Sequence, residues 1–261
     1  MGELRILSLG WGVQSFTLAA MAALGEIEPV DYAIHADTGH ESALTYDFAR
    51  RWTLWLEKRG VVVVVVVATH EKKNILDKWG GMQLPAYTYG KNGDGQIRRQ
   101  CTHEWKIRPM REFISAELSR KGVKKYPGAV TQILGISLDE YQRMKPADVK
   151  YIRHEWPLID KRLTREDCKR WLEKNNLEVP PRSACTFCPF KKTSEWRATR
   201  NNVVDWAEAV AVDRMIRNAR PPDALFVHPA RKPLEEIDFR TAEEKGQLSL
   251  WDNECSGICG V

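Results

Sequence analysis

A chain of 261 residues, 43% of them hydrophobic, has the length for one large α/β domain or a core with a smaller attachment, and the apolar content for a sizeable core. Its longest apolar run, Val61 to Ala68, has strand length and is too short to span a bilayer, so no membrane partner is expected. The net charge of +5 is unevenly placed: Lys91 to Lys125 holds ten Lys and Arg against four acids, a local +6 that suits a nucleotide or a nucleic-acid backbone, or else a solvated helix face.

In chain order, Leu4 to Leu7 reads as a short strand, and a helix begins near Gln14 and runs to about Leu24. Between them lies Ser8-Leu9-Gly10-Trp11-Gly12-Val13-Gln14-Ser15. A strand, a glycine-and-serine turn and a helix N-terminus form an anion site, because unpaired N–H groups and the positive end of the helix dipole face the turn. Gly10 and Gly12 let the backbone approach an anion closely, and Ser8 and Ser15 add hydroxyls. Taken alone, the same stretch is equally a tight corner that packs well. It matches neither the P-loop pattern nor the spaced dinucleotide fingerprint.

Val30 to Ala36 reads as a second strand ending in Asp37-Thr38-Gly39-His40, and Ser42 to Arg59 has helical spacing. The valines Val61 to Val67 predict a third strand, covered on both faces because nothing polar alternates with them. After a Gly-rich loop, Tyr89 to Gln96, a helix should follow Arg98-Arg99-Gln100-Cys101 and run to about Lys121. Val130 to Ile136 is a fourth strand ending at Gly135-Ile136-Ser137. The charged stretch Asp139 to Lys150 reads as mobile. Thr164 should cap a helix that reaches about Asn175, and Thr193 to Ala219 should be mostly helical.

These elements predict an α/β fold, a doubly wound and mainly parallel sheet over residues 1–160, with a helical, cysteine-bearing region over 161–261. In such sheets ligands sit at the carboxyl ends of the strands, where the opening turn, Asp37-Thr38-Gly39 and Gly135 all fall.

No charged-then-apolar leader precedes Ser8, so a cytoplasmic location is expected. In that setting Cys101, Cys168, Cys185, Cys188, Cys255 and Cys259 point to metal, cluster or redox roles before disulfides. Cys185-Thr186-Phe187-Cys188 has the spacing to share one metal or iron–sulfur cluster, and Cys101 supplies a third thiol. A [4Fe–4S] cluster takes four ligands, so Cys255 or Cys259 could be the fourth, or one iron could stay open. Structural zinc and free thiols are the alternatives. Basic neighbours (Arg98, Arg99, Lys106, Lys191, Lys192) should favour thiolates. Cys168, within an amphipathic pattern, should be buried packing. His40 should contact a ligand at its strand end, whereas His103 reads as a helix-start residue. Trp11 should stack on or shield a base.

In collinear order the chain resembles the PAPS/APS (phosphoadenosine/adenosine phosphosulfate) reductases of the PP-loop adenine-nucleotide superfamily. The segments that carry the resemblance are Ser8 to Ser15, Asp37-Thr38-Gly39-His40 with Thr45-Tyr46, Cys101 with Lys106 and Pro109, Gly135-Ile136 with Asp139-Glu140 and Arg143, Trp156 to Asp160, and Glu254-Cys255. It implies an adenine nucleotide over the strand ends, with Arg143 or Arg153 on its phosphates. It also implies a nucleophilic Cys255, for which Cys259 could be the resolving thiol, and a thioredoxin-like reductant. Three departures stand out. Gln14 replaces the Asp that would help place Mg²⁺ near ATP, which tilts the expectation toward a sulfonucleotide; Gln100 precedes Cys101 where a second cysteine is usual; and the tail reads Cys-Ser-Gly-Ile-Cys, with Cys259 where the family often has His. The rival expectation is a PP-loop sulfurtransferase that adenylates tRNA or DNA with ATP and Mg²⁺. A third is a non-catalytic nucleotide- or redox-sensing module.

Overall fold

The computed structural model describes residues 4–68, 84–91, 93–241 and 244–245. The chain opens with β1 (Leu4–Ser8), α1 (Val13–Ala23), β2 (Tyr32–Asp37), α2 (Ala43–Glu57) and β3 (Val63–Val67). There follow β4 (Tyr87–Tyr89), β5 (Gly95–Gln96), a π-helix (His103–Ile107) and α3 (Arg108–Arg120). Next come β6 (Val130–Ile133), a 3₁₀ helix (Leu138–Arg143), β7 (Ile152–Glu155) and α4 (Pro157–Asp160). The last elements used below are α5 (Arg165–Lys174), α6 (Thr193–Asn201), α7 (Val203–Ile216) and β8 (Ala224–Phe226).

The main sheet has the order β3-β2-β1-β6-β7, and every pairing in it is parallel. Alternate strand residues feed two cores, as the period-2 geometry of a strand requires. Leu7, Leu9 and Ala33 pack with Phe16 and Leu18 of α1, Phe48 of α2 and Leu172 of α5. Leu4, Ile6 and Ile34 pack with Met110, Ile114 and Leu118 of α3 on the opposite face. Helices therefore cover both faces of a parallel sheet, the expected doubly wound α/β class.

Thr164 caps α5 as expected: its side chain accepts from Asp167 N–H, and the Asp167 carboxylate accepts in return from the Thr164 backbone. Cys168, on that helix, is fully buried in the first core.

One expectation needs correction. Among the described residues the valine run is the edge of the sheet and is not covered on both faces, since Val62, Val65 and Val67 are 48%, 58% and 55% exposed. A run of valines specifies a strand, but its place in the sheet depends on which neighbour arrives on each side. Two features were not expected. Part of the stretch 139–150 lies in the 3₁₀ helix, and β7 follows as a fifth strand that its polar Ile-Arg-His-Glu sequence conceals. The packing clusters also cross residue 160. Cys168 and Leu172 belong to the main core, whereas Leu84, Ala86, Ile97 and Trp105 pack with Phe187, Trp196 and Val212 in a separate cluster. A small antiparallel sheet, β5-β4-β8, stitches that second cluster together. Among the described residues no helix is long and apolar enough to cross a membrane.

The edge position of β3 is testable by paired substitutions. Ile34→Ala, at 0% exposure in β2, should cost about 2–5 kcal/mol. Val65→Thr should change stability by no more than about 0.5 kcal/mol. Urea midpoints measure both, and comparable losses would mean that β3 is covered on both faces after all.

Candidate functional site

The opening turn is braced by its own serine. Gly10 N–H donates to Ser15 Oγ at 3.1 Å, and Ser15 Oγ donates to Gly12 O at 3.2 Å. Gly12 is the N-cap of α1 in an extended conformation (φ −90°, ψ 171°) and contributes no side-chain cap. A Cβ on Gly12 would meet nothing within 4 Å. The free N–H groups and the dipole of α1 thus face an open cradle. Gly135, beyond β6, closes the other side: a Cβ there would stand 2.8 Å from Ser15 N and 3.0 Å from Ser15 Cα. Its glycine identity permits the β6 end to lie directly on the start of α1. Ser8 is turned to the sheet, where its Oγ accepts from Gln132 Nε2 at 2.8 Å.

Trp11 holds a left-handed backbone (φ +56°) and is 1% exposed, packed against Phe16, His35 and Phe48. Its ring anchors the turn to the core and also borders the cavity described below. A bulky residue at positive φ is held only where surrounding packing over-determines it.

Gln14 is a buried junction. Its Oε1 accepts from Arg165 Nη1 at 2.9 Å, and its Nε2 donates to Ser137 Oγ and Glu140 Oε2, each at 3.3 Å. Arg143 is tied to the same Glu140 at 2.6 Å, with its side chain 61% exposed. Arg165, absent from the sequence-based candidates, thus brings a cation into contact with the start of α1. Arg153 is not brought to the turn. It pairs in register with Thr131, which pairs with Arg5, three residues before Ser8 and so about 10 Å down the sheet.

The β2 end is bonded as tightly. Asp37 Oδ1 accepts from Gly39 N–H at 2.8 Å and from the Tyr46 hydroxyl at 2.7 Å. Gly39 adopts φ +77°, which suits a residue without a Cβ. Burial, then the bond to Asp37, pushes the Tyr46 phenol well above its usual range. A cavity of about 540 Å³ opens beside this turn, lined by Trp11, His35, Asp37, Tyr46, Arg50 and Val65 among others. Burial holds His35 below the usual imidazole value, so it is neutral, and its Nδ1 lies 3.0 Å from Leu9 O.

The same turn is joined to the cysteine loop. Glu41 and Cys185 form an isolated antiparallel bridge, and Thr186 N–H donates to His40 O at 2.9 Å. Thr38 Oγ1 lies 3.5 Å from Cys185 Sγ, and the His40 ring packs edge-on to Phe187 at 5.1 Å. His40 Nδ1 is 2.8 Å from Glu208 Oε1, while Thr186 Oγ1 donates to Glu208 Oε2 at 2.6 Å. Burial opposes ionisation of Glu208, but the bonds from His40 and Thr186 outweigh it and hold its carboxyl below the usual range. Glu208 and Glu41 were not among the sequence candidates. Only the Asp37 to His40 motif pointed toward them.

Cys101 precedes the π-helix that carries Lys106, an irregular element often found at functional sites. Lys106 lies within electrostatic reach of both Cys185 and Cys101, and Cys188 within reach of Cys101. Basic neighbours do favour the thiolates, as expected, but burial outweighs them. Burial pushes the Cys185 thiol up to about 12, with Glu41 adding to the rise and Lys106 only partly opposing it. Burial likewise raises Cys188. Lys106 is already matched, since its Nζ donates to Glu41 Oε1 at 3.1 Å. Three soft donors in an apolar pocket have the chemistry of an iron–sulfur or zinc site. Among the described residues, however, no three Cys, His, Asp or Glu side chains stand close enough to hold a metal ion. Cys255 and Cys259 lie outside the described residues.

No family model and no curated protein matches the chain. Among solved structures, it is similar to the phosphoadenylyl-sulfate (PAPS) reductase from Candida auris, in a phosphate complex, at 14% identity over 69% of this chain and 76% of that one, TM-score 0.43. It is also similar to the U34-tRNA thiolase NcsA from Methanococcus maripaludis with its [4Fe–4S] cluster, at 13% identity over 91% of this chain and 75% of that one, TM-score 0.45. The first is a protein of the group that the motifs resemble.

The two glycines of the cradle separate packing from binding. Gly135→Ala should cost about 1–3 kcal/mol, because backbone atoms of α1 must give way. Gly12→Ala should stay within about 0.5 kcal/mol of the parent yet weaken phosphate or AMP binding at the cradle. Thermal unfolding and calorimetric titration read the two effects. Unchanged anion binding in Gly12→Ala would remove the turn as the anion site.

Proposed function

We propose that this chain is an adenine-nucleotide-dependent enzyme of sulfur metabolism, of the sulfonucleotide (PAPS/APS) reductase type. The observation that carries the reading is the bonding of the Asp37 to Glu41 turn onto the Cys185 loop, which joins the end of β2 to the Cys185 and Cys188 pair. In this reading the N–H groups at the start of α1 hold the nucleotide's anionic groups and the cavity beside Asp37 takes its base. Asp37 and Gly39 shape the rim, and His40 is held in place by Glu208.

To hold a cluster, Cys101, Cys185 and Cys188 would have to draw closer together than they stand here, with Cys259 or an outside group as the fourth ligand; when bound, it would polarise the sulfate end. The Cys255 thiolate would attack the sulfur of the sulfonucleotide. The S–O bond then breaks, and the nucleotide leaves with the electron pair on its phosphate oxygen. A second thiolate, Cys259 or an external dithiol, would attack the Cys255 sulfur, releasing sulfite and leaving a disulfide for a thioredoxin-like reductant.

The +6 segment and the thiols also suit an ATP-dependent sulfurtransferase acting on tRNA or DNA. The Gln14 junction supports the first reading instead. An amide stands where a carboxylate would help to place Mg²⁺, and the nearby Glu140 is already bonded to Gln14 and Arg143.

Anaerobic assays with iron and sulfide supplied decide between them. The expected result is sulfite release from APS or PAPS with a dithiol reductant, abolished by Cys255→Ser while nucleotide binding stays within about twofold. Pyrophosphate release from ATP, stimulated by tRNA or DNA and without sulfite, would overturn the proposal in favour of the sulfurtransferase. Tight nucleotide binding with neither product would point to a sensing module.

A further inference from the structure

Glu41 has no part in the chemistry above, yet its side chain is 0% exposed. A carboxylate removed from water in this way persists only where partners replace its hydration. Its partners come from three separate segments. Oε1 accepts from Lys106 Nζ at 3.1 Å, on the π-helix that follows Cys101. Oε2 accepts from Ser183 Oγ at 3.1 Å, two residues before Cys185. Its backbone bridges Cys185 itself. On the other side, Glu41 N–H donates to the Tyr46 oxygen at 3.3 Å, and the Tyr46 hydroxyl in turn donates to Asp37. The buried side chain of Glu41 thus touches the Cys101 segment and the Cys185 loop, while its backbone is tied to Cys185 and to Tyr46 on α2.

From this geometry we infer that Glu41 is a positioning residue that holds the Cys101 and Cys185 segments in register against the β2 turn. The inference rests on the reading above only in treating the three thiols as one working group. Lys106 is the weaker member of the pair, because its side chain is 38% exposed and can swing to water once Glu41 no longer holds it. The segment carrying Cys101 then loses its tie to the Cys185 loop. Buried pairs behave asymmetrically: removing one charge strands the other, whereas removing both leaves a neutral contact.

The test is pulsed N-ethylmaleimide labelling of the reduced full chain, without nucleotide, read cysteine by cysteine in the mass spectrometer. Glu41→Gln should raise labelling of Cys101 and Cys185 by roughly tenfold through local opening, while Cys168 in the main core stays at the parent rate. Glu41→Gln combined with Lys106→Met should return both close to the parent rates. Ser183→Ala, a milder change should Glu41→Gln fail to fold, should raise Cys185 and leave Cys101 unchanged. Parent-like labelling in Glu41→Gln, a rise shared by Cys168, or a double variant as reactive as the single one would each overturn the inference. Since no nucleotide or turnover enters the measurement, its failure is distinct from failure of the proposed activity.

Discussion

The structure turns on a short antiparallel bridge between Glu41 and Cys185. On one side of it lies a parallel sheet with its own two cores, and on the other a cluster built around Trp105, Phe187, Trp196 and Val212. Each cluster is closed by apolar burial, which is non-directional and does not specify how two bodies meet. The directional part is supplied at the bridge. Main-chain bonds from His40 and Glu41 to the loop around Cys185, the Thr38 contact and the buried Glu41 carboxylate all act within five residues of chain. Because those residues also end β2, the strand end cannot move without the thiol loop. Parallel α/β sheets place ligands at strand ends, so a bound group and the thiols would share a single wall.

The parts that could be read from sequence are those set by local rules. A β-branched run predicts a strand, glycines before an apolar helix predict a tight turn, and Thr164 with Asp167 predicts a capped helix; a strand, a turn and a capped helix stand at those places. What escaped depends on partners far away in sequence. Glu41 meets Lys106 65 residues later, Gln14 meets Arg165 151 residues later, and His40 meets Glu208 168 residues later. Nothing local distinguishes Glu41 from any solvated acid after a turn. Trp11 shows the reverse. Its motif suggested a ligand contact, but that it also packs between Phe16 and Phe48 as a core ring was not legible locally. The valine run shows the same limit, since composition reports strand preference while edge or centre is decided by topology.

Charge around the thiols follows from pairing rather than from composition. Counting Lys and Arg near the cysteines suggested an electropositive pocket, yet the nearest cations have other duties. Lys106 answers Glu41, and Lys191 donates to Thr186 O and Thr199 Oγ1 while burial pulls its own ammonium below the usual range. Arg99 lies over the Phe190 ring at 5.4 Å and, of the cations beside Cys188, exerts the larger pull on it, ahead of Lys191. Left to burial, the Cys185 and Cys188 thiols hold their protons. A resting pocket of this kind resists alkylation and oxidation, since the thiolate is the reactive form. Any group that binds through these sulfurs must therefore bring its own positive charge and displace the protons, as metal ligation by thiols does. Neutral thiols beside a matched Glu41–Lys106 pair are thus compatible with a ligand set that becomes charged only when the ligand arrives.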